Sequence, residues 1–185
     1  MAAAWESTGG NARTSSYLLV SEQEKLGFPK HMGEHQGRVE AIYLADAHGA
    51  LPHEVSAAVA HPGRGLEGDR HFDDSGACDI TLMEAEALEK LRAEHGIDLR
   101  RGESRRQVVV SGVDLGDFIG RRFQIGDIEC EGEERCEPCQ DLVRAVDSSL
   151  VLRGLLHSGL RASVLKGGTI HVGETVKPSA VEQVS

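Results

Sequence analysis

The sequence has few aromatic residues, no long run of one charge and no apolar stretch long enough to cross a bilayer. Aromatic side chains make up 4% of its 185 residues, whereas glycine occurs 22 times. This composition favours short strands joined by tight turns over a helix bundle. The N-terminal stretch also lacks an apolar core of signal-peptide length, so we expect a cytoplasmic protein with no membrane partner.

Basic residues are too few to suggest a nucleic-acid partner. The formal net charge is -10, and nucleic-acid binding depends on a basic face that neutralises phosphates. The nearest basic cluster is "LRRGESRR", residues 99–106. A patch of this size suits a small anion, and we expect no nucleic acid among the partners.

The order of polar and apolar residues predicts one folded domain with short extensions. Residues 1–36 are rich in glycine, serine, threonine and charge and are predicted to form a flexible arm. The periodic patterns begin at Gly37, so the domain is expected over residues 37–178, followed by a tail over 179–185.

Within the domain, alternating segments predict strands and three segments predict helices. Strands are expected in "RVEAIYLA", "EVSAAVA", "QVVVSG", near 121–124 and 127–131, and three times in "RASVLKGGTIHVGETVKP". The clearest helix lies in "DITLMEAEALEKLRAEHGI", with Thr81 and Glu84 at capping-box spacing and Gly96 as its stop. "CQDLVRAV" and "SLVLRGLLHSG" predict two short helices. The expected fold class is therefore mainly β with a few helices (α+β), resembling a β-barrel.

Four cysteines in a reducing compartment are expected to be free thiols, and two of them form the pair "CEPC". Cys136 and Cys139 supply half of a zinc site, with Cys130 nearby, or a redox pair. Alternatively, Cys139 is a single reactive thiolate, because Pro138 precedes it at the predicted start of a helix. The surrounding glutamates oppose a thiolate, and an inert buried cysteine is the remaining interpretation.

Three further segments contain candidate ligand-binding residues. "GRGLEGDRH" offers glycines for close backbone approach together with Arg70 and His71. Arg105, followed by Arg106, would clamp a phosphate through paired N–H donors. The Gly167–Gly168 turn would line a pocket. Each segment has a simpler interpretation as well: a connecting loop, two solvated arginines and a tight turn.

Taken in order, these segments resemble the MOSC family, named for the C-terminal domain of molybdenum cofactor sulfurase. The order runs "GLEGDRH", "ITLMEAEALEKL", "RRQVVVSGVDLGDFIGRRFQIGDIECEG", "CEPC" and "VLKGGTIHVGE". The resemblance implies a barrel-like fold and a functional cysteine at Cys139, which carries persulfide sulfur or, in amidoxime-reducing relatives, binds molybdenum. It also implies contacts to the cofactor's phosphate and pterin from these positions: Arg70, His71, Arg105, Gly167 and Gly168.

The chain departs from the family pattern in three respects. Gln107 stands where the family often has asparagine. No residue here provides the lysine of a pyridoxal-phosphate site, and the sequence contains neither an aminotransferase-like domain nor the extra N-terminal barrel of amidoxime reducers.

Three functions follow from the resemblance and the residues. In the first, a stand-alone domain binds the molybdenum cofactor, or carries sulfur on Cys139 after delivery by a cysteine desulfurase, as a sulfur transferase would. In the second, it is the molybdenum-dependent oxidoreductase component that acts on N-hydroxylated compounds, reduced by an electron-donor protein. In the third, Cys130, Cys136 and Cys139 hold zinc in a non-catalytic binding module.

Overall fold

A computed structural model of the chain describes residues 36–74, 78–99, 102–138, 142–144 and 148–179. The chain divides into two units, Met1–Gly33 and Glu34–Ser185, and every described residue belongs to the second. The predicted arm lies, apart from residue 36, outside the described residues, as does the predicted tail beyond residue 179. Cys139 also lies outside them, so its role stays a prediction.

Among the described residues, seven strands close into a barrel. Four further strands lie outside this closed ring. The barrel strands follow each other in the order β1, β11, β7, β8, β9, β5, β6 and return to β1. β2 extends the sheet beside β1, and β10, β3 and β4 form a second sheet. The strands are β1 Gly37–Leu44, β2 His53–Val55, β3 Ala57–His61, β4 Gly65–Leu66, β5 Ile80–Glu84, β6 Val108–Ser111, β7 Arg122–Ile125, β8 Ile128–Arg135, β9 Gly159–Lys166, β10 Gly168–His171 and β11 Thr175–Pro178.

One helix connects the two parallel strands of the barrel. β5 and β6 are parallel, and parallel neighbours need a crossover connection, which here contains α1, Ala85–His95. α1 ends at Gly96, whose φ of 66° and N–H bond to the Arg92 carbonyl form a left-handed cap, as predicted. The predicted capping box is wrong, because Thr81 lies inside β5 and the helix begins after Glu84 without a side-chain cap.

In the described part of the chain, three apolar clusters hold the fold together, of which two are large. The barrel interior is filled from its strands, and Phe118, from the 3-10 helix Leu115–Phe118, stacks on Phe123 at 4.6 Å between ring centres. Outside the barrel, α1 packs against α2, Leu150–Gly154. The buried side chains of this second core include Leu91, Leu142, Val151 and Leu155. Full burial of one such leucine contributes roughly 1.5–3 kcal/mol, so Leu142 firmly anchors the chain just beyond Cys139.

The predicted fold class is confirmed: the chain is mainly β, with a seven-stranded barrel and few helices. One predicted strand, "EVSAAVA", is instead two, because Ser56 separates β2 on the barrel from β3 in the second sheet. None of the helices in the part of the chain described above has the length and apolarity needed to span a membrane.

Candidate functional site

Arg106, just before β6, anchors the segment that precedes Cys139. Its guanidinium is buried, and Nη2 donates to the carbonyl oxygens of Cys136 at 3.0 Å and Glu137 at 2.8 Å. Nη1 reaches the Ser104 carbonyl at 3.4 Å. The barrel wall therefore holds the backbone two residues before the predicted reactive cysteine.

Two buried donors in the same segment have no partner among the described residues. They are Ser104 Oγ and Arg106 Nε, and both residues are less than a tenth exposed. A buried polar group without a hydrogen bond costs roughly 1–3 kcal/mol, so such groups call for an explanation, and a missing ligand is one. Between them Arg105 adopts φ of 60°, a left-handed conformation that is uncommon for a residue with a Cβ.

Arg70, Arg105 and Arg106 form a cluster of positive charge, here named the arginine cluster. Burial is the main cause that lowers the pKa of Arg70, Asp69 acts in the opposite direction, and the charges of Arg105 and Arg106 lower it further. Positive charges that act on one guanidinium are offset when an anion binds beside them. The arrangement therefore suits a phosphate or a similar oxyanion.

A buried hydrogen-bond network fixes the backbone beneath the arginine cluster. Gln107 Nε2 donates to Asp69 Oδ1 at 2.9 Å, and Gln107 Oε1 accepts from the Thr81 amide at 2.9 Å and hydroxyl at 3.1 Å. Asp69 Oδ2 accepts from the amide of Ala45 at 3.1 Å. The glutamine that departs from the family pattern therefore spans from β5 to the loop that carries Arg70.

The described thiols differ sharply in their surroundings. Burial, more than the nearby Cys136, raises the pKa of Cys78 to about 11, and burial raises that of Cys130 to about 12. Neither is a competent nucleophile at neutral pH. Cys136 is 5% exposed, its amide donates to the Gly159 carbonyl at 2.9 Å, and a side-chain hydrogen bond to it is the main cause that raises the pKa of Arg161.

The acidic residues before Cys139 are paired in the structure. Four glutamates lie between Cys130 and Cys139: Glu131, Glu133, Glu134 and Glu137. Three of them lie beside an arginine, which offsets the negative charge, or beside a histidine, which does so when its imidazole is protonated. These pairs are Glu131 with Arg122 at 3.8 Å, Glu134 with Arg161 at 3.1 Å and Glu137 with His157 at 3.3 Å. The argument that local acids oppose a thiolate is accordingly weaker than the sequence suggests.

The cysteines predicted for a zinc staple do not all come together. Cys130 points into the barrel core, whereas Cys136 follows the end of β8 six residues later, roughly 20 Å along an extended strand. Among the described residues, moreover, no cysteine belongs to a group of three metal-ligating side chains. A zinc site that joins Cys130 and Cys136 is therefore excluded by geometry.

The predicted cofactor ligands are only partly brought together. Arg70 and Arg105 belong to the arginine cluster, and His71 Nε2 accepts a hydrogen bond from Arg70 Nε at 3.1 Å. Gly167 and Gly168 instead follow the far end of β9, and Gly167 lies roughly 26 Å along an extended strand from Gly159 and the Cys136 contact. At Gly167 a Cβ would lie 2.6 Å from the Ala60 carbonyl oxygen, so strand packing already requires a glycine there.

Sequence reasoning missed Ser104 and Asp69 and could not decide which arginine was buried. No periodicity marks Ser104, since it lies in an irregular turn. The one usable signal was the polar run "SRRQ" directly before the apolar "VVV", where a buried strand begins.

The sequence matches the MOSC domain family over residues 67–177. The matched range includes Arg70, Arg105, Arg106 and the "CEPC" segment. No curated protein is significantly similar to the chain in sequence.

Several solved structures have a similar fold. The YuaD protein from Bacillus subtilis is 18% identical with a TM-score of 0.64, over 76% of this chain and 94% of that one. YiiM from Geobacillus stearothermophilus is 14% identical with a TM-score of 0.61, over 78% and 75%. YiiM from Escherichia coli is 15% identical with a TM-score of 0.59, over 77% and 70%.

Proposed function

The chain belongs to the MOSC domain family, and from that premise we propose that it binds the molybdenum cofactor through the arginine cluster, with Cys139 as the sulfur ligand. One observation carries the proposal. Ser104 Oγ and Arg106 Nε are buried donors without partners among the described residues, and the charges of Arg105 and Arg106 act on Arg70. An anionic group would accept hydrogen bonds from the unpaired donors and would also offset the positive charge.

The residues present fit the cofactor's two ends. Guanidiniums and a hydroxyl are the donors that a phosphate requires, and these are Arg70, Arg105, Arg106 and Ser104. A cysteine thiolate is the soft ligand that the metal end would take, and Cys139 follows the two carbonyls that Arg106 holds. When bound, the cofactor would supply a metal centre for redox or atom-transfer chemistry.

The protein's own groups would orient this ligand. The Gln107 network holds the Arg70 loop against β5, while Arg106 holds the Cys136–Glu137 backbone. The two anchors fix the arginine cluster and the cysteine segment to one barrel wall. Such preorganisation reduces the ordering cost of binding.

Metal and pterin content tests the proposal. The full chain, made in a cell that synthesises the cofactor, is expected to contain molybdenum and pterin in equal amounts. Arg105→Ala removes a charged contact worth roughly 1.5–3 kcal/mol, so cofactor content under limiting supply should fall at least about tenfold. Cys139→Ala should lose molybdenum while keeping its melting temperature.

Arg122→Ala is the matched control, since Arg122 pairs with Glu131 outside the arginine cluster. Its cofactor content should equal that of the wild type. A wild-type protein that contains neither molybdenum nor pterin, or an equal loss in Arg122→Ala, would contradict the proposal. The reductase hypothesis requires the same cofactor, so this measurement precedes any assay with N-hydroxylated substrates.

Sulfur transfer is the second candidate function, and the position of Cys136 favours it. Cys136 is buried, lies three residues before Cys139 and interacts with Arg161 strongly enough to raise the pKa of that guanidinium. In the transfer step, the Cys139 thiolate attacks the outer sulfur of a desulfurase persulfide. A new S–S bond forms on Cys139, the desulfurase S–S bond breaks, and its cysteine leaves as a thiolate, with no net oxidation.

Protein mass after incubation with a cysteine desulfurase and free cysteine tests this candidate. The wild type should gain one sulfur atom that a reductant removes, and Cys139→Ala should gain none. Cys136→Ala is the matched control, because it removes the Cys136 thiol and keeps Cys139, the proposed sulfur acceptor. Equal gains in the wild type and in Cys139→Ala would place the sulfur elsewhere and reject this role.

A further inference from the structure

We propose that His48, His71 and Asp74 bind one divalent transition-metal ion at a site separate from the proposed cofactor. Each residue offers one ligand atom, and the three atoms lie within 4.8 Å of one another. His48 and Asp74 are exposed and His71 is half-buried, so an ion can enter from solvent. Two imidazoles and a carboxylate form a donor set that zinc accepts, with a fourth position left for water.

The spacing of His71 and Asp74 fits two ligands of one ion. His71 Nδ1 and Asp74 Oδ2 are 3.4 Å apart, whereas N–H···O bonds are normally 2.7–3.2 Å. Two ligand atoms about 2.0–2.1 Å from a tetrahedral zinc ion are separated by about 3.3 Å. The observed distance therefore matches one edge of a zinc coordination sphere.

The two imidazole rings are also spaced as ligands of one ion. The ring centres of His48 and His71 are 5.1 Å apart, with an angle of 82° between the ring planes. A ring centre lies about 3.2 Å from zinc when the Zn–N bond is about 2.05 Å, and a tetrahedral angle then separates two ring centres by about 5.2 Å. Side-chain rotations that bring the ligand atoms from within 4.8 Å of one another to about 3.3 Å would complete the site.

Nδ1 is the ligand atom of His71, because Nε2 faces Arg70 and Nδ1 faces Asp74. Arg70 Nε donates to His71 Nε2 at 3.1 Å, which leaves Nδ1 facing Asp74. When Nδ1 binds a metal, the neutral imidazole carries its proton on Nε2. Two N–H groups would then face each other, so the Arg70 side chain must turn away for the ion to bind. Removal of Arg70 should therefore tighten metal binding.

Cobalt(II) titration of the full chain tests the site, because its visible spectrum distinguishes nitrogen and oxygen ligands from thiolates. The wild type should bind one ion with a tetrahedral spectrum that lacks thiolate charge-transfer bands, and zinc should displace the cobalt. His48→Gln and Asp74→Asn should each weaken binding at least about tenfold. The matched control is His53→Gln, an exposed histidine on β2 outside the group, which should bind as the wild type does.

Two outcomes would overturn the site. One is equal affinity in the wild type, His48→Gln and Asp74→Asn. The other is a cobalt spectrum with thiolate bands, which would place the ion on the cysteines. His48 and Asp74 are outside the arginine cluster, so His48→Gln should keep the molybdenum content of the wild type. Absence of the proposed zinc site would therefore leave the proposed cofactor binding intact.

A second pair of variants tests the role of Arg70. Arg70→Leu and Arg105→Leu each remove one positive charge from the arginine cluster, but only Arg70 touches His71. Arg70→Leu should bind cobalt severalfold more tightly than Arg105→Leu. Equal affinities in these two variants would overturn the assignment of Nδ1 as the ligand.

Discussion

At the scale of single residues, Gln107 connects three separate parts of the chain to the turn before β6. Its amide group joins Asp69 to Thr81, and its backbone bonds both Thr81 and Tyr43. All of the amide's polar contacts are buried or half-buried. Such a network is stabilising only while every member has a partner.

Replacement of Gln107 should therefore destabilise the fold strongly. In Gln107→Leu, Asp69 keeps its backbone donors but loses a buried side-chain donor, and the Thr81 amide loses its acceptor. We expect the free energy of unfolding to fall by about 2–4 kcal/mol in urea denaturation. Gln124→Leu, a half-buried position on β7, should cost less than about 1 kcal/mol. Equal effects would show that the network contributes nothing specific.

Cys130 should make the protein sensitive to alkaline pH. Its folded-state pKa is about 12 because of burial, whereas an unfolded cysteine titrates near 8.5. The folded state therefore retains a proton that the unfolded chain releases, so the stability is complete below about pH 8.5 and is lost as the pH rises towards 12.

Cys130→Val removes this titration while keeping an apolar side chain of similar size. Between pH 8 and pH 10 the variant should lose about 2 kcal/mol less unfolding free energy than the wild type. Ile128→Val serves as the control, since it changes the same core without a titrating group and should be shifted equally at every pH. If the unfolding free energies of the wild type and Cys130→Val depended on pH in the same way, Cys130 would not be the cause of the alkaline loss of stability.

At the scale of elements, the site depends on how closely the segment after β8 lies against β9. A Cβ on Gly159 would lie 2.4 Å from the Cys136 carbonyl oxygen, which Arg106 also binds. Only glycine permits this approach. The first residue of β9 is thus part of the support for the proposed cysteine ligand.

Gly159→Ala should displace that segment and reduce cofactor content. We expect a stability loss of about 1–3 kcal/mol from the steric conflict, together with molybdenum content well below that of the wild type. Gly168→Ala is the matched control beyond the other end of β9, where the new Cβ would meet the Ile128 Cγ2 methyl at 3.0 Å and no backbone atom within 4 Å. Comparable molybdenum loss in Gly168→Ala would instead place the Gly167–Gly168 turn in the site.

Most elements could be predicted because their signals are local. Alternation marks β1 and β6, and glycines mark the ends of β9, β10 and α1. Thr81 was misread as a helix cap because its hydroxyl bonds Gln107, 26 residues away, and no local pattern encodes that contact. The division of "EVSAAVA" likewise depends on which sheet each half joins.

The candidate site could be predicted less completely than the fold. Arg70 and Arg105 were predicted to contact the cofactor from the family resemblance, and in the structure the charge of Arg105 acts on Arg70. Ser104 became a candidate only once its burial was known, because an exposed serine would be solvated. Close strand packing explains Gly167 without a ligand, and cofactor contacts from Gly167 and Gly168 stay a prediction.

At the scale of the whole molecule, the barrel is closed by strands from opposite ends of the described chain. β11 pairs with β1 through Gly37 and Val176, and with β7 through Val176 and Ile125. Closure removes two exposed sheet edges that would otherwise pair with other chains. Contacts this distant in sequence also make folding slower than local contacts would.

Removal of β11 should open the barrel. A chain truncated after Glu174 loses the buried Val176 and leaves β1 and β7 with unpaired edges. We expect it to lose its cooperative thermal transition and to aggregate, as measured by circular dichroism and light scattering. Truncation after Ser179 keeps every described strand and should preserve the transition. A cooperative transition in the shorter chain would show that six strands suffice.

The anchor that Arg106 provides has a consequence for sequence variation. Its guanidinium binds the carbonyl oxygens of Cys136 and Glu137, and every amino acid carries that group. The side chains at these two positions can therefore change during evolution or in the laboratory without loosening the hold on the backbone. A fixed support beneath a variable surface would let related chains place different side chains beside the cysteine proposed as the metal ligand.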